Sequence, residues 1–401
     1  MTRIKHGPVQ GGMMMIMDGV VDKLGAISSA PLKFARKWKT GKKGRRVVGH
    51  LCSYSPDEII AAAGALPFRM LGSGMEIGRA DKHIQSYTCD VLRSILESDL
   101  TGEYEGLMDL VVFPHTCDSV QCLTDIWSEV SGANSSLSMY MPVNLKSRAA
   151  PDMIEKELKT FRQVLEARLD TKITDEALDS AIEQRKEAAG LLKRIYFAKV
   201  RKPNIIPASS VQAAVRAFLF APWSRTIPVL REMAGLLDES LAQERDIVPS
   251  EKRPLVFVLG TTLSEPGLMS AIEETGAWVV GDDLCTGSRA FEGEPPDRIE
   301  EADPLKRIAK RLMNKPPCPC KYSGPDNRIN GIMERVKSAH AEGVILVRWK
   351  FCDPLGFELP DLSKKFKAAG YRVLEIELSG GGEVTQALRS RIEAFTETMK
   401  L

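Results

Sequence analysis

Eight cysteines, at positions 52, 89, 117, 122, 285, 318, 320 and 352, carry the widest choice of chemistry in this sequence. A large chain kept among cytoplasmic reductants is not expected to pair them as disulfides. Their spacing matches no zinc finger, no redox Cys-x-x-Cys and no ferredoxin run. Buried packing, nucleophilic chemistry and metal ligation therefore remain, and spacing alone does not choose among them. Position says more. Cys117 follows VVFPHT, Cys285 follows WVVGDDL and Cys352 follows VILVRWKF, so each ends a strand-like run. A cysteine that ends a strand and heads a helix gains from the helix N-terminus, which favours thiolate and offers N–H donors. Cysteine is also among the most buried residue types, so any one of these is as readily a packing residue. Three in equivalent positions shift the balance towards a low-potential metal cluster.

Other chemistries are less well supplied. The histidines at 6, 50, 83, 115 and 340 offer no metal-ligand pair at helical spacing. His115 stands two residues before Cys117, where a structural hydrogen bond explains it as well as proton transfer does. Neither Gly-x-x-x-x-Gly-Lys-Ser/Thr nor Gly-x-Gly-x-x-Gly occurs, so no ATP or NAD site of the two commonest kinds is expected. The loop Ser379-Gly380-Gly381-Gly382 could hold an anion on its amides, although turning the chain is the simpler use of its glycines.

The elements that must position these residues follow from hydrophobic period. VVGHLCSY (47–54) reads as a strand, and Ser55-Pro56-Asp57-Glu58 as a capped helix start running to about residue 65. LMDLVVFPHT (107–116) is a continuous apolar run that suits a buried parallel strand leading to a helix at Cys117. Between 152 and 200 the period becomes helical, with Ile154, Leu158, Phe161, Leu165 and Leu169 on one stripe and Leu178, Ile182, Leu192 and Ile195 on a second. Pro203, Pro207, Pro222 and Pro228 punctuate a mixed stretch, and DIVPSEKRP (246–254) reads as a linker. Strands at 254–263, 278–285, 343–351 and 372–378 then alternate with helices: one capped at Ser264-Glu265-Pro266, others near 304–314, 327–341 and 361–369, and a last one faced by Val384, Leu388, Ile392, Phe395 and Met399. The expected fold is α/β, with two Rossmann-like (flavodoxin-like) parallel-sheet domains and an intervening helical region. Its divisions fall at 1–46 (a basic arm), 47–150, 151–250 and 251–401.

With 55 Lys and Arg against 53 Asp and Glu, the net charge of +2 gives no case for a nucleic-acid partner. The basic stretch 33–46 reads as a solvated arm. No run approaches the roughly 18 apolar residues of a membrane span, and MMMIM at 13–17 lacks a secretory cleavage site. A cytoplasmic location is expected.

Six segments carry a further signal: CSYSPDEIIAAAGALPFRM (52–70), SYTCDVLRSILE (86–97), FPHTCDSVQCLTDIW (113–127), GTTLSEPGLMSAIEETGAWVVGDDLCTGSR (260–289), FCDP (351–354) and LRSRIEAF (388–395). In order, they resemble the blocks of the 2-hydroxyacyl-CoA dehydratase and benzoyl-CoA reductase (2-hydroxyglutaryl-CoA dehydratase D-component) superfamily. The resemblance implies a 4Fe–4S cluster held by Cys89, Cys117 and Cys352, and one-electron reduction of a CoA thioester to a ketyl-type radical. It also implies a homologous second subunit, or a second copy of the chain, and a separate ATP-dependent activator. LGSGMEIGRADKHIQSYTC (71–89) is similar to benzoyl-CoA reductase small subunits, and CPCKYSGPDNR (318–328) resembles double-cubane cluster reductases. A second cluster on Cys285, Cys318 and Cys320 thus stands beside the single-cluster reading, as does an electron-relay subunit without its own substrate site. A plain α/β binding protein with buried cysteines is the remaining alternative. The resemblance assigns no acid or base, Glu375 and Glu377 included, and names no acyl group.

Overall fold

The protein, as a computed structural model, is described over residues 8–72, 74–132, 135–243, 253–264, 267–294, 303–324, 326–380 and 382–400. Strands β1 (Arg46–His50), β2 (Ala65–Arg69), β3 (Leu110–His115) and β4 (Ser136–Tyr140) form one sheet in the order β2-β1-β3-β4. Strands β5 (Leu255–Gly260), β6 (Trp278–Asp283), β7 (Gly343–Trp349) and β8 (Arg372–Leu378) form a second in the order β6-β5-β7-β8. Every pairing is parallel, from Val47 against Leu66 in the first sheet to Trp349 against Leu378 in the second. The expectation of two Rossmann-like sheets is met. Apolar runs such as Leu110 to Phe113 and Val344 to Val347 are buried throughout, as strands covered on both faces must be. In each sheet the chain moves to one side of its first strand and returns on the other. A crevice therefore opens at the carboxyl ends between β1 and β3, and another between β5 and β7.

The departures from the sequence reading have local causes. Helix Asp57–Ala62 stops short of residue 65 because Gly64 adopts φ +74°, after which the fully buried ALPFR forms β2, a strand the periodicity did not reveal. The expected capping box does not form: Pro56 is the N-cap, and the Ser55 hydroxyl is buried without a partner. Glu58 is drawn away to two arginines. The half-buried edge strand β4 was likewise unseen. In the middle, helices Ala150–Leu169 and Asp175–Arg201 follow the expected stripes, and Thr174 caps the second by accepting from the Ala177 amide at 3.2 Å. The proline-punctuated stretch is instead two more helices, Ala208–Phe220 and Trp223–Ala242. Pro228 lies inside the latter, where burial of Ile227, Leu230 and Met233 outweighs one missing backbone donor. Most of the expected linker, 246–252, and Glu265 and Pro266 of the expected cap lie outside the described residues.

The basic stretch is partly docked rather than a free arm: Lys33, Lys37, Lys42 and Lys43 stay exposed, but helix Pro31–Thr40 buries Ala35 and Trp38, and two of its cations serve the first lobe. Arg36 donates to the carbonyls of Glu103 and Glu105, while Lys39 reaches the Leu107 carbonyl and the Asp109 carboxylate, each at 2.8 Å. Before it, helix Pro8–Ser28 buries Val20 and Leu24. No helix among the described residues is long and apolar enough to cross a membrane.

A buried ionic cluster ties the first lobe to the rest. Glu58, 1% exposed, accepts from Arg311 at 2.8 Å and lies beside Arg185, which also pairs with Glu294. Burial alone would raise the Glu58 carboxyl; Arg311 and Arg185 more than offset it and hold it below the ordinary value. Removing the carboxylate strands the buried Arg311 guanidinium and leaves Arg185 with Glu294 alone as its carboxylate. Glu58→Ala should therefore cost about 3–5 kcal/mol of stability, measured by chemical denaturation of the whole chain; a loss below about 1 kcal/mol, the scale of a surface pair, would contradict this account.

Candidate functional site

Three thiols share one local geometry. Cys89 is the N-cap of helix Asp90–Leu100, Cys117 of helix Asp118–Ser131 and Cys352 of helix Asp353–Ala368. Cys117 and Cys352 follow the central strands β3 and β7, as the sequence suggested. Backbone N–H groups of Val91, Val120 and Leu355, in the first turns, act on the three sulfurs to favour thiolate, without forming capping hydrogen bonds.

The lobes bring these thiols together. Cys89, from the first lobe, lies against Cys352, from the second; contact with Cys352 and burial hold Cys89 well above the ordinary thiol value, while Cys352 lies below it. Cys117 is close enough to Cys352 and Cys89 to feel their charge, and a hydrogen bond from Cys320 lowers its own pKa. The loop carrying Cys318 and Cys320 turns, with the Lys321 amide donating to the Cys318 carbonyl at 3.0 Å. Both of its thiols therefore face the cleft. Cys320 touches Cys318 as well as Cys117, and its S–H can serve only one of them at a time. Contact with Cys320, opposed by burial, brings Cys318 down to about 6.

The string continues to two further thiols. Cys52, just beyond β1, lies near Cys318 and Cys285, accepts from Thr116 Oγ1 at 3.7 Å, and has its thiol pushed up by burial. Cys285 accepts from Arg289 at 3.4 Å. The sequence reading did not single out Cys52 as a candidate, although its place beside the β1/β3 crevice gave the signal. Cys122 is exposed and outside the group. Buried cations surround this end. Arg289 is held firmly protonated by Asp283, Cys285 and Cys318 against the cost of burial. Lys321 donates to the Pro142 carbonyl at 3.0 Å, and Lys315, pulled down to about 7 by burial, donates to the Arg289 carbonyl at 2.7 Å. Their ammonium groups lie over the Tyr54 ring at 5.4 and 5.9 Å, and the Tyr54 hydroxyl has no partner.

Among the described residues, no three His, Cys, Asp or Glu side chains converge as one metal ion would require. The thiols are instead strung pairwise along the cleft. A crowd of sulfurs with cations around it fits a polynuclear iron–sulfur group, which thiolates hold from several sides, better than a lone zinc. His115 takes no part: it packs edge-on against Tyr140 with centroids 4.4 Å apart, and burial lowers its pKa. Glu377 pairs with Arg348 and Glu375 with Lys367, both away from the thiols.

A sequence model of the family "2-hydroxyglutaryl-CoA dehydratase, D-component" matches residues 52–399. The chain belongs to this family. It is 27% identical over 356 residues to the (R)-phenyllactyl-CoA dehydratase beta subunit of Clostridium sporogenes, covering 89% of this chain and 92% of that protein. It is 27% identical over 373 residues to a benzoyl-CoA reductase subunit of Thauera aromatica, covering 92% and 94%. With the lactoyl-CoA dehydratase beta subunit of Anaerotignum propionicum it shares 25% over 387 residues, 96% of this chain and all (100%) of that one. Both dehydratase and reductase subunits are thus among the D-component relatives.

In this D-component chain the glycine loop after β8 does hold an anion, and the anion is its own. Asp90, next to Cys89 and 3% exposed, accepts from the Gly380 amide at 3.1 Å and from Arg93 at 2.9 Å, while its own amide donates to the Lys350 carbonyl at 3.2 Å. Gly380 adopts φ +58°, and a Cβ at Gly382 would lie 2.6 Å from the Trp349 ring, so glycine is required at both positions. Asp90 thereby latches the two lobes beside Cys89 and Cys352. Asp90→Ala should slow oxidative formation of a Cys89–Cys352 disulfide in metal-free protein by about tenfold, the loss of one charged hydrogen bond. Peptide mapping by mass spectrometry over a time course reads this out, and an unchanged rate would exclude the latch.

Proposed function

We propose that this chain is the iron–sulfur subunit of an ATP-activated, radical-type acyl-CoA dehydratase or reductase, with a 4Fe–4S cluster on Cys89, Cys117 and Cys352. One observation supports the reading: three N-cap thiols from two separate lobes line one cleft at the carboxyl ends of two parallel sheets, Cys89 against Cys352 and Cys117 within reach of their charge. When bound, such a cluster supplies transfer of one low-potential electron to a CoA thioester. The chain's own residues supply the surroundings. Helix N-termini at Val91, Val120 and Leu355 stabilise thiolate, Thr261 donates to Cys352, and burial of Cys352 and Cys318 keeps water from the sulfurs. A separate activator supplies the ATP-dependent step in this reading, and the absence of a P-loop from the sequence agrees with that division of labour. A homologous subunit, or a second copy of the chain, completes the enzyme in the cytoplasm, in line with relatives that are themselves named subunits.

A second cluster is the other reading, and the cations around Cys285 and Cys318 favour it, because a sulfide-bearing cluster is anionic. The sequence nominated Cys320 as their third partner; Cys52 lies beside both and is the rival.

Anaerobically purified protein should carry about four irons per chain with one cluster or about eight with two. Serine at Cys89, Cys117 or Cys352 should strip or destabilise the first cluster, because a hydroxyl is a poor ligand for iron. Full iron and an unchanged spectrum in all three variants would refute the assignment. A second cluster predicts loss of about half the iron in the Cys318→Ser, Cys320→Ser double variant, and single variants at Cys52 and Cys320 identify its third thiol. Calorimetry should detect no ATP binding by this chain alone, and turnover should require partner, activator and a strong reductant.

A further inference from the structure

Three successive carbonyls at the end of β5 are each held from a different element. Arg289 Nη2, from helix Ser288–Phe291, donates to the Gly260 carbonyl at 2.5 Å. The Cys285 amide, beyond β6, donates to the Thr261 carbonyl at 2.5 Å, and Trp349 Nε1, at the end of β7, to the Thr262 carbonyl at 2.6 Å. The next amide is taken as well, since Leu263 donates to Thr286 Oγ1 at 2.8 Å. Strand β7 stands so close that a Cβ at Gly260 would lie 2.6 Å from the Val347 carbonyl. Residues 260–263 are thus over-determined, and the chain crosses the crevice between β5 and β7 in one fixed pose. That pose directs one side chain at a thiol. The Thr261 hydroxyl donates to Cys352 Sγ, across the crevice. In the first lobe the chain just beyond β1 brings a thiol, Cys52, to the matching crevice; in the second it brings a hydroxyl.

This donor differs in kind from the other side chain on Cys352. In metal-free protein Cys352 also accepts from the Cys89 S–H. A thiol gives up its proton when it ligates a metal, so that contact ends when iron is bound, whereas a threonine hydroxyl keeps its proton. Hydrogen bonds to a ligating sulfur draw charge from it and favour the more negative, reduced form, which makes them one of the levers on reduction potential. We propose that Thr261 is a positioning residue for Cys352: its hydroxyl fixes the direction of that thiolate and raises the reduction potential of the iron–sulfur group the thiolate holds. The inference deepens the iron–sulfur reading above and rests on it. The brace that serves Cys352 also reaches the other end of the thiol string. Arg289, which grips the Gly260 carbonyl, donates to Cys285 Sγ at 3.4 Å, and the Cys285 amide grips Thr261 itself. One rigid segment therefore ties the surroundings of Cys285 to those of Cys352.

The test compares Thr261→Val, which keeps the shape and removes the hydroxyl, with Thr261→Ser, which keeps the hydroxyl, in anaerobically purified full-length chain. Iron per chain is measured first. Protein-film voltammetry then reads the midpoint potential without activator, substrate or chemical reductant. Thr261→Val should shift the one-electron equilibrium about tenfold against reduction, a midpoint about 59 mV lower, and Thr261→Ser should keep the wild-type midpoint. Loss of iron from the valine variant with full iron in the serine variant also supports the proposal, because only the hydroxyl-bearing side chain then holds Cys352 in place for ligation. A wild-type midpoint in fully loaded Thr261→Val overturns the proposal and leaves the iron–sulfur reading standing. An equal shift, or an equal loss of iron, in both variants overturns it as well, since the effect then belongs to packing and not to the hydroxyl. Wild-type chain purified without iron removes the iron–sulfur reading itself, and this proposal with it.

Discussion

Thiolates repel one another, and this protein gathers seven of its eight cysteines along one cleft. Weak S–H contacts between neighbouring thiols do little to hold that arrangement together. The contact that the rest depends on is the meeting of Cys89 with Cys352 across two lobes, and it is enforced from outside. Asp90 grips the Gly380 amide and the Lys350 backbone, while Glu58 with Arg311 and Arg185 closes the far side. Both clamps are buried carboxylates that are fully engaged, the condition under which buried charge supports a structure instead of opposing it.

The two parallel sheets make that meeting possible. Each reverses its strand order beside its first strand, so each presents one crevice at its carboxyl edge. The thiols lie along those edges: Cys52 after β1, Cys117 after β3, Cys285 after β6 and Cys352 after β7. Helix N-termini point their amides at three of the sulfurs, and buried Arg289 adds a firm positive charge at the other end, beside the amines of Lys315 and Lys321. The cleft is thus prepared for negative charge along its length.

Wherever a run was long and of one period, the sequence was legible. The continuous apolar strands β3, β5 and β7, the stripe from Ile154 to Leu169 and the last helix all emerge from pattern. Short or hidden elements did not. β2 is five residues directly behind a helix, and its buried Ala65, Leu66 and Phe68 read equally well as that helix continuing. Ser55 and Glu58 formed a plausible capping box until tertiary ion pairs claimed the glutamate. The docking of Arg36 and Lys39 was hidden because their partners, mostly backbone carbonyls near residue 105, carry no signature in side-chain types.

What the sequence by itself determined was therefore the class of fold, the family, and the placement of Cys117 and Cys352 at strand ends that begin helices, because these depend on local period and on blocks of adjacent residues. What only the tertiary structure decided was company. That Cys89 faces Cys352, that Cys320 turns to Cys117, that Cys52 joins Cys285 and Cys318, and that Thr261 reaches Cys352 are contacts between residues from about 90 to over 260 positions apart. No local pattern encodes such pairings. They follow from how the two sheets are packed together through the helices between them, and packing is settled by the whole chain at once.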